Sequence, residues 1–148
     1  MKSSRILLSV IWSVLFMISC TRFHDASPEL DAKAKAMTAP QDKALVYLYR
    51  DVNGGGRMNV SIDGRNLGVI GGRNFMMFML SPGKHLVVIE AANRDEMDLE
   101  VKPGETYYIR QDITNYLYVV SSKMMLMHNM EGKKGVQDCV LVEHKPVP

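Results

Sequence analysis

Met58-Asn59-Val60-Ser61-Ile62-Asp63-Gly64-Arg65-Asn66-Leu67-Gly68-Val69 is the stretch that decides the fold. Met58, Val60 and Ile62 alternate with Asn59, Ser61 and Asp63, and a period of two marks a strand with one buried face. Asp63-Gly64 supplies what a type I′ hairpin turn requires, since both of its central residues take positive φ. A two-residue turn there sets Val60 opposite Leu67 and Met58 opposite Val69, which keeps one face of the hairpin apolar.

The same period extends in both directions. Upstream, Ala44-Leu45-Val46-Tyr47-Leu48-Tyr49-Arg50 is apolar on both faces until its end, as a central strand should be. Asn53-Gly54-Gly55-Gly56 reads as a flexible loop between the two. Downstream, Gly71-Gly72 separates the hairpin from Phe75 to Leu80, and Ser81-Pro82-Gly83-Lys84 turns the chain into His85 to Glu90. Met97, Leu99 and Val101 alternate with Asp98, Glu100 and Lys102 before a second Pro-Gly turn at Pro103-Gly104 leads into Thr106 to Arg110. Tyr116 to Val120 and Met124 to His128 read as two more short strands, Gly132 and Gly135 bracket a loop, and Val136 to Val142 closes the domain. The expected fold is all-β: a single small sandwich of eight or nine short antiparallel strands over residues 44–148. A chain of 148 residues, 47% hydrophobic and 23% charged, has the balance of one globular domain.

The N-terminus reads as an address and an anchor. Lys2 and Arg5 precede an apolar run from Ile6 to Ile18, which ends at Ser19-Cys20. The run is shorter than the roughly 20 apolar residues of a spanning helix and ends at small residues, as a secretory signal does. Cys20 directly after Ser19 resembles the lipobox of bacterial lipoproteins, with Met17 standing where lipoboxes usually carry Leu. That resemblance implies a signal peptide over residues 1–19 and an acylated Cys20. Thr21, in place of the Asp that retains many enterobacterial lipoproteins at the inner membrane, favours the outer membrane, facing the periplasm. Residues 20–43 then form a tether. Ser27-Pro28-Glu29 is a helix start, with an N-cap serine, proline in the first turn and an acid beside it, and Pro40 marks its end.

Ala44-x-Val46-Tyr47-x-Tyr49-Arg50, Val60-x-Ile62-Asp63-Gly64-x-x-Leu67-Gly68, Leu80-x-Pro82-Gly83-x-His85 and Pro103-Gly104-x-x-Tyr107-Tyr108-x-Arg110 follow one another in this order. Together they resemble a bacterial domain-of-unknown-function family of small lipoproteins, the two-eight-four-six type. The resemblance runs from about Ala34 to the C-terminus and implies a lipid-anchored β-sandwich with no established activity.

Charge excludes one class of function. Of the 18 basic residues, Lys2 and Arg5 fall in the first 20, leaving 16 to balance 16 acids. A neutral domain has no field with which to gather DNA or RNA. His24, His85, His128 and His144 have no metal-type spacing, and no H-E-x-x-H or C-x-x-C motif occurs. His85 follows a turn and reads as the cap of a strand end rather than a catalytic base. Gly54-Gly55-Gly56 opens no helix and has no Lys-Ser/Thr partner, so it is not a phosphate cradle.

Three constellations are left. Arg50 and Arg110 both end apolar strands near tyrosines, Tyr108 among them; if those ends converge, two guanidiniums grip a carboxylate or phosphate. The alternative is that each stacks on a tyrosine or pairs with Asp51 or Asp112. Met124, Met125, Met127, His128 and Met130 are clustered, and thioether sulfur suits Cu(I). Against this, methionine also fills irregular cores, and alternation sends Met125 and Met127 to one face and Met124 to the other. Cys139, the only thiol left after acylation, reads as a small buried hydrophobe. The sequence thus points to a non-enzymatic, lipid-anchored envelope protein that needs no cofactor. It meets the membrane through its acyl chains and an envelope protein through its domain; a periplasmic copper-handling protein is the alternative, and an uncharacterised hydrolase ranks third.

Overall fold

All seven residues of Ala44–Arg50 are buried, and the rest of the fold is what covers them. The computed structural model describes residues 25–144; the expected signal peptide and Cys20 lie outside the described residues. In chain order the elements are α1 (Pro28–Lys35), β1 (Ala44–Arg50), β2 (Met58–Ile62), β3 (Arg65–Ile70), β4 (Asn74–Leu80), β5 (Gly83–Glu90), β6 (Arg94–Val101), β7 (Thr106–Tyr116), β8 (Val119–Met127), α2 (Asn129–Gln137) and β9 (Val140–Leu141). One sheet runs β8-β7-β1-β4-β9 and the other β3-β2-β5-β6. The architecture is an all-β sandwich with a helical layer on one outer face.

Alternation along β1 explains the layering. Ala44, Val46 and Leu48 enter the core between the sheets, with Val60, Ile62, Leu67, Ile70, Val87, Ile89 and Ile109. Leu45, Tyr47 and Tyr49 enter a second core with Ala34, Phe75, Tyr108 and Val136, on the side where the helices lie. A strand apolar on both faces needs a cover on both.

Not every strand pair is antiparallel. β1 pairs β7 in parallel, Tyr49 opposite Arg110, and β4 pairs β9 in parallel. The cause is the route of the chain. After building the second sheet it returns at the end where β1 begins, with Gly104 N donating to Lys43 O at 3.0 Å and Leu45 N to Glu105 O at 3.0 Å. The β2–β3 turn is of the expected kind, with φ of 51° at Asp63 and 77° at Gly64. Its register departs from the expected one after two pairs: a bulge sets Val60 opposite Gly68 and Met58 opposite Ile70. Gly68, at φ 143°, absorbs the extra residue. Leu67 and Ile70 both become buried, where strict alternation would have chosen Leu67 and Val69.

Two further expectations are corrected. The segments from Tyr116 and Met124 are not separate short strands: β7 and β8 form one long hairpin that turns at Leu117-Tyr118. Nor do Gly132 and Gly135 bracket a loop, because they lie inside α2, where with Val136 they form its buried side. A Cβ on Gly132 would come within 2.2 Å of Tyr108 Cβ, and one on Gly135 within 2.2 Å of Tyr49 Cε2. The helix thus rests directly on an aromatic floor in which Tyr47 and Tyr108 stack at 5.2 Å. α1 forms as expected, capped by Ser27 Oγ accepting from Leu30 N at 3.3 Å. It is docked rather than a free spacer: Tyr47 OH donates to Ala34 O at 2.7 Å and Leu141 N to Asp31 Oδ1 at 2.8 Å.

The free edge of β8 is covered by the β5–β6 turn. Asn93 behaves as a short strand of its own, its Nδ2 donating to Ser122 O and its Oδ1 accepting from Ser122 N, each at 2.8 Å. Such cover blocks the edge from pairing with another chain.

Gly135→Ala tests the helix contact. Alanine is the better helix former by about 1 kcal/mol, yet the added methyl must displace Tyr49 and should destabilise the protein by about 1–3 kcal/mol. Urea denaturation reads the difference, with the exposed Lys133→Ala as a near-neutral control. An unchanged or raised midpoint for Gly135→Ala would contradict the packing.

Candidate functional site

β1 and β7 are parallel neighbours with Tyr49 opposite Arg110, so Arg110 shares the face of Tyr49 while Arg50 points to the other side. The two guanidiniums therefore do not converge. Arg50 is fully buried between the sheets, where Nη2 donates to Gly56 O at 2.5 Å and to Ile70 O at 3.3 Å. Burial draws its pKa below the ordinary 12.5, and guanidinium remains charged even so. Its work is to hold the glycine loop, where Gly54, Gly55 and Gly56 have φ of 93°, 70° and 67°. Side chains resist that region and glycine does not.

Arg110 belongs to a cleft on the helical face. Its Nε and Nη2 donate to Asp112 Oδ1 and Oδ2 at 2.8 and 3.1 Å, a bidentate pair that raises its pKa. The cleft, about 280 Å³, is floored by Tyr49 and Gly135 and ringed by Asp51, Arg110, Glu131, Lys134 and Asp138. Tyr108, one pleat along from Arg110, lies beneath Gly132 instead. α2 supplies Glu131 and Lys134 and its C-cap Asp138. These three were missed because the helix was missed; its two glycines remove the apolar stripe by which a helix is read.

The cleft is suited to binding a polar group of mixed charge. Burial, then the charge of Asp51, pushes the Tyr49 phenol up to about 12. Burial likewise pushes the Cys139 thiol up to about 12, and its Sγ donates to Arg50 O at 3.4 Å. Both groups stay protonated at neutral pH, where neither serves as base or nucleophile.

The methionine cluster is divided by the alternation of β8. Met124 is buried in the core between the sheets. Met125 and Met127 lie opposite Arg110 and Tyr108 on the outer face, and Met130 is 88% exposed on α2. The sulfurs do not surround one point. Among the described residues no group of three or more His, Cys, Asp or Glu is placed to hold a metal ion.

His85 fastens two turns at the far end of the sandwich. Nδ1 bonds Asp63 Oδ2 at 2.7 Å and Nε2 bonds Ser81 O at 2.8 Å, while Asp63 Oδ1 accepts from Leu86 N at 2.9 Å. With both ring nitrogens engaged, His85 has none to offer a substrate. Burial works against its charge, but the bonds to Asp63 and Ser81 outweigh it and raise the pKa above 6.5. Burial also works against the Asp63 carboxylate, and the bonds from His85 and Leu86 N overcome it, leaving that pKa lowered.

The family described as "Protein of unknown function (DUF2846)" matches residues 40–124. An uncharacterized protein of Haemophilus influenzae is 24% identical over 132 residues, covering 86% of this chain and 79% of its own length.

The His85 lock gives a signed pH dependence. A group whose pKa is raised on folding stabilises fully below its unfolded pKa and loses that contribution as pH rises through the folded one. The lowered Asp63 acts in the opposite sense, contributing above its unfolded value and losing that on acidification. The pair therefore contributes most between the ordinary values of 3.8 and 6.5. In urea titrations at several pH values, the stability gap between wild type and His85→Gln should narrow as pH rises above 6.5. A gap independent of pH would contradict the lock.

Proposed function

The chain belongs to the DUF2846 family of proteins of unknown function, and on that footing we propose that it is a lipid-anchored module of the bacterial envelope, acylated at Cys20, which acts by binding rather than by catalysis. The observation that carries this reading is where the chain joins the sandwich. Asp25 bridges to Val142 and accepts from Asn74 Nδ2 at 3.3 Å, and Ala26 N donates to Leu141 O at 2.8 Å. Asp25, the first described residue, is thus already part of the sandwich five residues after Cys20. Five residues span at most about 17 Å, a short leash from an anchor to a domain. Acyl chains contribute about 0.8 kcal/mol per buried methylene, so two or three of them hold a protein stably. Among the described residues no helix is long and apolar enough to cross a membrane.

Binding is supported by the cleft beside α2, whose volume approaches the lower end of the roughly 300–1,000 Å³ common for ligand sites. Its two cations and three acids suit a partner that itself carries both signs, as a peptide segment does. The protonated Tyr49 and Cys139 and the doubly bonded His85 favour a non-catalytic role. An outer-membrane position facing the periplasm follows from Thr21 after the acylated cysteine.

Cys20→Ala decides the anchor. The wild-type chain should take up a fatty-acid probe and be processed by the lipoprotein peptidase, and the variant should do neither. Equal labelling of the two would overturn the reading.

A further inference from the structure

The β7–β8 hairpin ends on a turn of two bulky residues. Leu117 and Tyr118 have φ of 43° and 72°, a pairing that hairpins normally fill with Asn-Gly or Asp-Gly because side chains resist it. Packing does not compensate for the strain. Tyr116 is 73% exposed, Leu117 74%, Tyr118 103% and Val119 51%. From Ile113 to Ser122 the chain carries no Asp, Glu, Lys, Arg or His. The first charges on either side, Asp112 and Lys123, face each other across the hairpin. An uncharged tip, strained and aromatic, is held out from the fold.

The tip shares an end of the molecule with Asp25, the first described residue. Gly55 abuts Ile113 and Val120, to the degree that an added Cβ would lie 2.7 and 3.3 Å from their side chains. On the other side of the same loop, Gly54, Gly56, Asn74 and Asp25 line one depression. The glycine loop therefore lies between the hairpin on one flank and Asp25 on the other. Asp25 is five residues from Cys20, within about 17 Å of it.

We propose that the Tyr116-Leu117-Tyr118-Val119 tip seats in the headgroup region of the membrane that holds the acyl chains, so that the sandwich stands end-on with two points of attachment. This rests on acylation of Cys20. Tyrosine is favoured at membrane–water interfaces, and the charge-free window suits a medium in which charge is costly. A span of at most about 17 Å keeps Asp25 near the bilayer, and with it the glycine loop and the hairpin that flank it.

The test uses the full-length acylated protein in vesicles of phosphatidylethanolamine and phosphatidylglycerol, with and without brominated acyl chains. The sequence has one tryptophan, Trp12, in the segment removed on processing, so Tyr118→Trp and Lys84→Trp each report one place. Bromolipid should quench tryptophan at 118 severalfold more than at 84, on the opposite end, with a blue-shifted emission. Failure to float with vesicles would overturn both the anchor and the seat. Flotation with equal quenching at both positions would overturn the seat alone. A blue shift at 118 that depends on protein concentration but not on bromolipid would mean that a second copy covers the tip, and would also overturn it. In parallel, Leu117→Asn with Tyr118→Gly should melt no lower than the parent; a marked drop would show that these residues serve the fold instead.

Discussion

The structure depends on a strand that water reaches on neither face. β1 is buried at every residue, including a charged one at its end. Its inward residues demand the second sheet, and its outward tyrosines demand a helical layer. Arg50 adds a polar condition, because a buried guanidinium must find acceptors. The carbonyls of Gly56 and Ile70 meet it at Nη2, while the buried Nε has no hydrogen-bond partner, and hydrogen bonds to charged groups contribute about 1.5–3 kcal/mol each. One side chain thereby fixes the loop leaving β1 and the end of β3. Met58 Sδ receives Gln111 Nε2 at 2.9 Å, and Gln111 in turn donates to Ser122 Oγ at 3.1 Å, extending the polar thread toward β8.

The two ends of the sandwich are built differently. At the start of β1, the turns at Asp63-Gly64 and Ser81-Pro82 are tied together by His85, and the Pro103-Gly104 turn is bonded to Lys43. At the other end, the glycine loop, the strained Leu117-Tyr118 turn and Asp25 come together. Stability is concentrated at one end and exposed, unpaid apolar surface at the other. Working surfaces usually sit on loops that a rigid scaffold holds in place.

Strands were legible in the sequence wherever one face was apolar or both were, from β1 through β6. The helix α2 was not, because its contact side is made of Gly132 and Gly135, and absent side chains leave no periodicity. The same absence lets Tyr49 and Tyr108 approach, so the feature that hides the helix also seats it. The β3 bulge was hidden in Gly68, whose backbone freedom has no hydrophobic signature. Arg50 was correctly placed at a strand end, whereas Arg110 lies within β7, which runs on to Tyr116. Their opposite facing depended on β1 and β7 running parallel, a long-range pairing that local pattern does not encode. The long hairpin was obscured because the polar run Gln111-Asp112 and Thr114-Asn115 looks like a loop, and because its turn has neither Gly nor Asn at the two central positions.

The proposed seat sets the end of the sandwich where β1 finishes against the membrane. Spin labels at Asn53→Cys and Glu105→Cys mark the two ends, and the buried Cys139, its thiol pushed up to about 12, stays unreactive toward the reagent. Depth measured by relaxation enhancement in the acylated, vesicle-bound protein should place the label at 53 near the phosphate plane. The label at 105 should stand about 20 Å farther into water, the length of a seven-residue strand. Equal depths, or the label at 105 nearer the bilayer, would contradict the account.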